Sequence, residues 1–258
     1  MLDKNKIYFG DCLDIMKQIP DRSIDMILCD LPYGTTSCKW DSLIDLDKMW
    51  IEYKRIIKQY NAIVLFGSQP FTTKLISSNY EWFKYCWIWE KNRATGHVHS
   101  KNRPMKIHED ICVFSEGNTL HANQSIKRMP YYPQGLIKLE EGTKRRTRHD
   151  AGDDAVMGKR KSHKESFCTH TGYPTSILRY DIEMNENRFH EAQKPLLLCE
   201  YLIKTYSNEG DTILDNTSGS SSTAIASIKT KRDYIMIEKD KKYYDISLKR
   251  IEDFINTI

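Results

Sequence analysis

Seven short β-branched or aromatic runs, set apart by helical or polar stretches, most constrain what this chain can fold into. They are Lys6–Phe9, Ile24–Cys29, Ala62–Phe66, Tyr85–Trp89, Ile111–Phe114, Thr212–Leu214 and Tyr234–Ile237. Leu46, Met49, Trp50, Tyr53, Ile56 and Ile57 recur at helical spacing, which predicts an amphipathic helix. Leu197, Leu198, Tyr201, Leu202 and Thr205 predict another, and Tyr244, Leu248, Ile251 and Ile255 a third. Strands alternating with helices predict an α/β chain with a mostly parallel sheet and helices on both faces. With 258 residues, 40% of them hydrophobic, such a core can be filled.

Polar residues follow these runs. Asp11 comes just after the first, Asp30 after the second, Gly67-Ser68 after the third, Glu90 after the fourth, Asp215 after the sixth and Glu238 after the seventh. Open α/β sheets bind ligands beyond the carboxyl ends of their strands, so these residues are candidates for one shared site. Any one of them alone reads as the ordinary polar end of a strand; several carboxylates and glycines in the same topological place favour a shared site.

Two constellations carry chemistry. In Asp30-Leu31-Pro32-Tyr33-Gly34, a carboxylate at a strand end leads into a turn stiffened by Pro32. An acceptor side chain, outward carbonyls and an aromatic plate suit a planar ring bearing an amino group. The second runs from Ile213 to Ala226, where Asp215-Asn216-Thr217-Ser218-Gly219-Ser220-Ser221-Ser222-Thr223 is a small-residue turn between a strand and a helix. Small residues let a ligand approach the backbone, and Glu238 about twenty residues on suits ribose hydroxyls. There is no G-x-G-x-x-G and no phosphate loop, so a nucleoside cofactor without pyrophosphate is preferred.

Charge is spread unevenly. The chain carries 39 Lys and Arg against 35 Asp and Glu, but residues 127–164 hold eleven bases against five acids, among them Lys144, Arg145, Arg146 and Arg148. Interleaved with Tyr131, Tyr132, Phe167 and Tyr173, they suit a surface that follows phosphates, or simply a solvated loop. Lys91, Arg93 and Arg103 are placed in a second loop, over the target or its phosphates. Seven cysteines without Cys-x-x-Cys spacing point to reduced thiols, and no apolar run approaches a membrane span. The expectation is a cytoplasmic protein with no membrane contact. His97, His99 and His108 lack matching carboxylates, so no metal is expected.

Taken in order, these motifs resemble the β class of amino-directed DNA methyltransferases. Asp-Leu-Pro-Tyr resembles that family's catalytic Asp-Pro-Pro-Tyr, and Asp215–Thr223 resembles its S-adenosylmethionine loop. Gly10-Asp11-Cys12-Leu13, Leu65–Phe71, Trp87–Lys91 and His190-Glu-Ala-Gln-Lys-Pro195 agree. The catalytic motif precedes the cofactor loop, which is the circularly permuted order. The resemblance implies a Rossmann-like S-adenosylmethionine-dependent methyltransferase fold with an inserted target-recognition region. Residues 1–118 would be the catalytic half, 119–188 the insertion and 189–258 the cofactor-binding half.

The resemblance also implies roles. Asp30 and the Leu31 carbonyl would accept hydrogen bonds from the target amino group, Pro32 would stiffen the turn, and Tyr33 would stack on a base swung out of the duplex. Asp215, Thr217 and Gly219, with Ser220, Ser221, Ser222 and Thr223, would line the methionine part of the cofactor. Glu238 would hold its ribose; Asp11 would contact its adenine, Phe66 would pack against it, and Cys12 and Asp30 would also touch the cofactor. Gln193 and Lys194 would approach its amino-acid end. The implied product is S-adenosylhomocysteine, and the implied partners are double-stranded DNA, a second copy of the chain and a cognate restriction endonuclease. An Asp at the first motif position favours adenine N6; cytosine N4, a catalytically silent DNA-binding subunit, and an RNA or protein-amide substrate are the alternatives. Three departures stand out: Leu31 for Pro, Glu191-Ala192 for Pro-Thr, and Ser221 where the family has a second glycine. If position 221 needs positive φ, serine costs on the order of 1 kcal/mol, and its side chain would crowd the cofactor.

Overall fold

A computed structural model describes residues 2–34, 42–121, 125–140, 168–182, 189 and 193–257. The elements are β1 (Lys6–Phe9), α1 (Cys12–Met16), β2 (Ile24–Asp30), α2 (Leu46–Ile56), β3 (Ile57–Gly67), α3 (Phe71–Ser78), β4 (Phe83–Thr95) and β5 (Lys106–Phe114). They continue with β6 (Ile137–Lys138), β7 (His170–Thr171), β8 (Ile177–Arg179), α4 (Leu196–Tyr206), β9 (Thr212–Asp215), α5 (Ser222–Lys229), β10 (Asp233–Glu238) and α6 (Lys241–Ile255). Eight strands form one sheet in the order β1-β10-β9-β2-β3-β5-β4-β8. From β1 to β3 every pairing is parallel; β5 runs antiparallel to both β3 and β4, and β8 is parallel to β4.

Strand alternation divides the core between the two faces. Ile27, Cys29, Ile63, Leu65, Leu214, Ile235 and Ile237 pack with α1, α2 and α3. Met26, Leu28, Val64, Phe66 and Ile213 point to the other face, against α4 and Ala226 of α5. Tyr234 and Met236 join α5 and Ile251 of α6 on that side. On α2 the predicted apolar stripe is the buried one, with Met49, Trp50, Tyr53 and Ile56 inside and the Asp45 side chain accepting from the Lys48 N–H as N-cap. Truncating Met49 to alanine would cost about 2–5 kcal/mol.

All seven predicted strands and all three predicted helices are present. Three strands are much longer than their apolar runs, β5 among them, since it starts at Lys106 rather than Ile111. β3 starts at Ile57, straight out of α2, and β4 continues to Thr95, where Thr95 pairs with Lys106 across a hairpin. Glu90 therefore does not end a strand. Within 119–188, Met129 and Leu178 are buried in the core, and β8 pairs with β4 through Leu178 and Trp89.

The chain divides into two compact units, Met1–Tyr132 with Ser176–Ile258, and Pro133–Thr175. The described part of the smaller unit is a two-stranded ribbon of β6 and β7, pairing Ile137 with Thr171 and Lys138 with His170. Gly172 has φ of +78°, and a Cβ there would lie 2.6 Å from the Gly135 carbonyl oxygen, so glycine is required.

Candidate active site

Alternation along the strands sends Asp30, Glu109, Asp215 and Glu238 to one face of the sheet, the face covered by α4, α5 and α6. Asp30 ends β2 at the centre of the sheet, with β9 on one side and β3 on the other. Its Oδ1 accepts from the Tyr33 hydroxyl at 2.8 Å, and its Oδ2 is paired with the Lys194 ammonium. The Leu31 side chain is buried in the core. The Tyr33 ring stacks on Phe71, with centroids 5.0 Å apart and planes at 25°, and Lys194 Nζ stands over it at 6.0 Å.

The sequence reading missed Glu109. It lies near the start of β5, and because β5 runs against its neighbours its beginning reaches the edge where parallel strands end. Glu109 Oε1 is paired with Lys91, and Oε2 lies 3.4 Å from Lys194 Nζ. Lys91 thus carries its charge inward, against Glu109 and over the Trp89 ring at 4.8 Å. Four charges alternate in sign: Lys91, Glu109, Lys194, Asp30. Burial pushes the Asp30 carboxyl up, and Lys194 pulls it back. Burial also opposes ionisation of Glu109, but Lys194 and Lys91 outweigh it and hold that carboxyl below its usual range. Lys194, buried between the two acids, keeps its proton more tightly than an ordinary lysine. An acid at the start of an antiparallel strand was the available signal, and it needed the strand direction to be read.

Beside Asp30 lies the loop after β9. The Thr217 hydroxyl donates to the Asp30 main-chain oxygen at 2.9 Å and lies 2.9 Å from Cys29 Sγ. Asp215 is buried; its Oδ1 accepts from the Thr217 N–H and its Oδ2 from the Thr223 hydroxyl at 2.7 Å. Burial pushes its carboxyl up to about 6. Ser220 Oγ donates to Gln193 Oε1 at 3.1 Å, which also accepts from the Phe189 N–H. Arg250 of α6 donates to the Ser220 carbonyl at 2.7 Å and to Ser222 Oγ at 3.2 Å. Ser221 adopts φ +60°, ψ +39°, so the position does need the left-handed region. Its side chain is fully buried, with Oγ unpaired. The cost of the serine is strain and a buried hydroxyl.

Glu238 ends β10, accepting from the Gly219 N–H at 2.8 Å and the Asp240 N–H at 2.7 Å, and burial raises its carboxyl. Asp11 accepts from the Leu13 N–H and pairs with Lys239 at 3.0 Å. Two expected cofactor contacts are placed otherwise. Cys12 turns into the core on α1, and Phe66 is 1% exposed, packed on Trp89 and beneath Lys194.

The Lys91–Arg103 loop is also corrected. Residues 91–95 belong to β4, with Thr95 pairing Lys106 of β5 after a shift in register, and Lys91 is unavailable to a phosphate because Glu109 holds it. Arg93 and Arg103 are exposed. Lys144, Arg145, Arg146 and Arg148 lie outside the described residues, as do Glu191 and Ala192.

Asp30 and the loop after β9 thus lie side by side, joined by the Thr217 hydroxyl. Residues 24–249 match the N6/N4 DNA methylase family model. Across 95% of this chain and 94% of the relative, it is 22% identical to the type II methyltransferase M.HindIII of Haemophilus influenzae. It is 26% identical to the DNA adenine methyltransferase YhdJ of Escherichia coli, over 95% of this chain and 82% of that one. A 101-residue stretch is 37% identical to the type II methyltransferase M.BglI of Bacillus subtilis, covering 39% of this chain and 28% of the relative. Among solved structures, M1.HpyAVI in complex with SAM superposes with a TM-score of 0.62 at 19% identity, covering 95% of this chain and 98% of that one. The cytosine-N4-specific PvuII DNA methyltransferase superposes with a TM-score of 0.63 at 13% identity, covering 99% and 93%. On the extent of the family match, with a fold to agree, the chain belongs to the N6/N4 DNA methylase family.

Proposed function

We propose that this chain methylates the exocyclic N6 amino group of adenine in double-stranded DNA, with S-adenosylmethionine as donor. The observation that carries the reading is the side-by-side placement of Asp30 and the β9 loop, fastened by the Thr217 hydroxyl. The residues suit the cofactor: Asp215 matches its ammonium, Glu238 its ribose hydroxyls, and Ser218 Oγ is a buried polar atom still without a partner. Gln193 and Ser220 flank the same loop, with Gly219, Ser222 and Thr223. S-adenosylmethionine supplies an electrophilic sulfonium methyl group and leaves as S-adenosylhomocysteine.

The amino group of adenine is a weak nucleophile because its lone pair is delocalised into the ring. Asp30 and the Leu31 carbonyl accept its N–H bonds, which concentrates the lone pair on nitrogen. The turn at Pro32 holds those acceptors still, so positioning and electrostatics carry the rate. Tyr33 offers the surrounding aromatic surface to a flipped base. Arg93 and Arg103 on the exposed hairpin contact phosphates, and residues 119–188, with Lys144, Arg145, Arg146 and Arg148, recognise the site. The type II designations of the relatives make a cognate endonuclease, and a cytoplasmic setting, part of this reading. A homodimer remains part of it too.

Nucleoside mass spectrometry tests it. Unmethylated DNA is incubated with the protein and S-adenosylmethionine, then digested. N6-methyladenine is the expected product; N4-methylcytosine would keep the mechanism and correct the base. Absence of either, with cofactor binding measured separately, would overturn the reading in favour of a silent subunit or a different substrate.

A further inference from the structure

We infer that Glu109 is the second resting place of the Lys194 ammonium, which it takes when Asp30 takes the target amino group. Glu109 is thus a positioning residue acting through Lys194, and the inference rests on the methyltransferase reading above. Lys194 now occupies Asp30 Oδ2 and stands over the Tyr33 ring, both of which that reading gives to the incoming base. To admit the base, the ammonium has to move. It is buried, with 8% of its side chain exposed, and a buried charge stripped of its partner is strongly disfavoured. Glu109 Oε2 answers this need: it lies 3.4 Å from Nζ and is buried without a hydrogen bond of its own. A shift of well under an ångström along that line would complete the bond. Lys91 fixes the other oxygen, so Glu109 itself stays in place. No covalent bond to Glu109 is made or broken in the reaction; only the lysine changes its hydrogen-bond partner.

The test is a double-mutant cycle in single-turnover methyl transfer, using wild type, Glu109→Gln, Lys194→Gln and the double variant on unmethylated genomic DNA. Cofactor affinity is measured on each. Glu109→Gln should slow transfer about tenfold or more while changing cofactor affinity less than about threefold, because the lysine stays on Asp30. In the Lys194→Gln background the same change should alter the rate less than about twofold. An equal loss in both backgrounds, or none in the wild-type background, overturns the inference. Glu109→Asp, which keeps the charge, should recover part of the rate. For a readout free of folding effects, the wild-type crystal structure with S-adenosylhomocysteine and methylated product DNA should show Lys194 Nζ bonded to Glu109 Oε2. Nζ still on Asp30 beside a bound base overturns the inference. Wild type that binds the cofactor but methylates no DNA defeats the functional reading instead, and this inference with it.

Discussion

The Thr217 hydroxyl donates to the main-chain oxygen of Asp30 at 2.9 Å, tying the loop after β9 to the turn after β2. The two come from parts of the chain 187 residues apart. Thr217→Val keeps the shape and removes the donor. It should cost about 1 kcal/mol in urea unfolding and slow methyl transfer more than it weakens cofactor binding. Unchanged transfer would show that the latch does not set the distance between the loop and Asp30.

Asp30→Asn keeps the outline of the side chain and removes its charge. Transfer should fall about 10²–10³-fold or more, as when a directed electrostatic contact is lost from a transition state. DNA affinity in a gel-shift assay should hold, because phosphate contacts dominate it. Retained methylation would remove Asp30 from the chemistry.

Ser221 holds a left-handed backbone while its side-chain hydroxyl makes no hydrogen bond. Ser221→Gly should stabilise the protein by about 1 kcal/mol, raising Tm by about 2–4 °C. Ser221→Ala keeps the strain and removes only the hydroxyl, so it should gain less. Cofactor affinity should change little in either, since the side chain is fully buried.

Burial raises the Asp215 carboxyl to about 6. A cofactor ammonium binds the ionised form, so cofactor affinity should fall as pH drops below about 6, approaching tenfold per unit. The effect on the empty protein has the opposite sign. The neutral acid suits the buried site, so this group's contribution to stability is full below about pH 4 and is lost as pH rises through about 6. Asp215→Asn should flatten both profiles, which calorimetry between about pH 4 and 7 would show.

Much of this was legible in the sequence because it depends on local pattern. The β-branched runs located the strands, and the helical spacing of Met49, Trp50, Tyr53 and Ile56 gave the buried stripe of α2. Asp30, Asp215 and Glu238 gather at one edge of the sheet because they end parallel strands, a regularity that needs no coordinates. Glu109 escaped because its position depends on β5 running the other way, which nothing local specifies. Lys91 was misplaced for the same reason: its neighbours look like a loop until the hairpin partner Lys106 is known. Phe66 and Cys12 were assigned to a ligand when their side chains serve the core.

β5 is hydrogen-bonded on both sides, with Gly67 opposite Asp110 on one and Glu90 opposite His108 on the other. Asp110 points to the opposite face, where it accepts from the Thr72 hydroxyl at 2.7 Å. A slip of one residue would exchange these two acids, sending Glu109 away from Lys194 and putting a shorter carboxylate in its place. Double pairing forbids that slip. The charge balance around the lysine is therefore stored in strand register, and deleting one residue before Glu109 would disturb it without changing a single charged group.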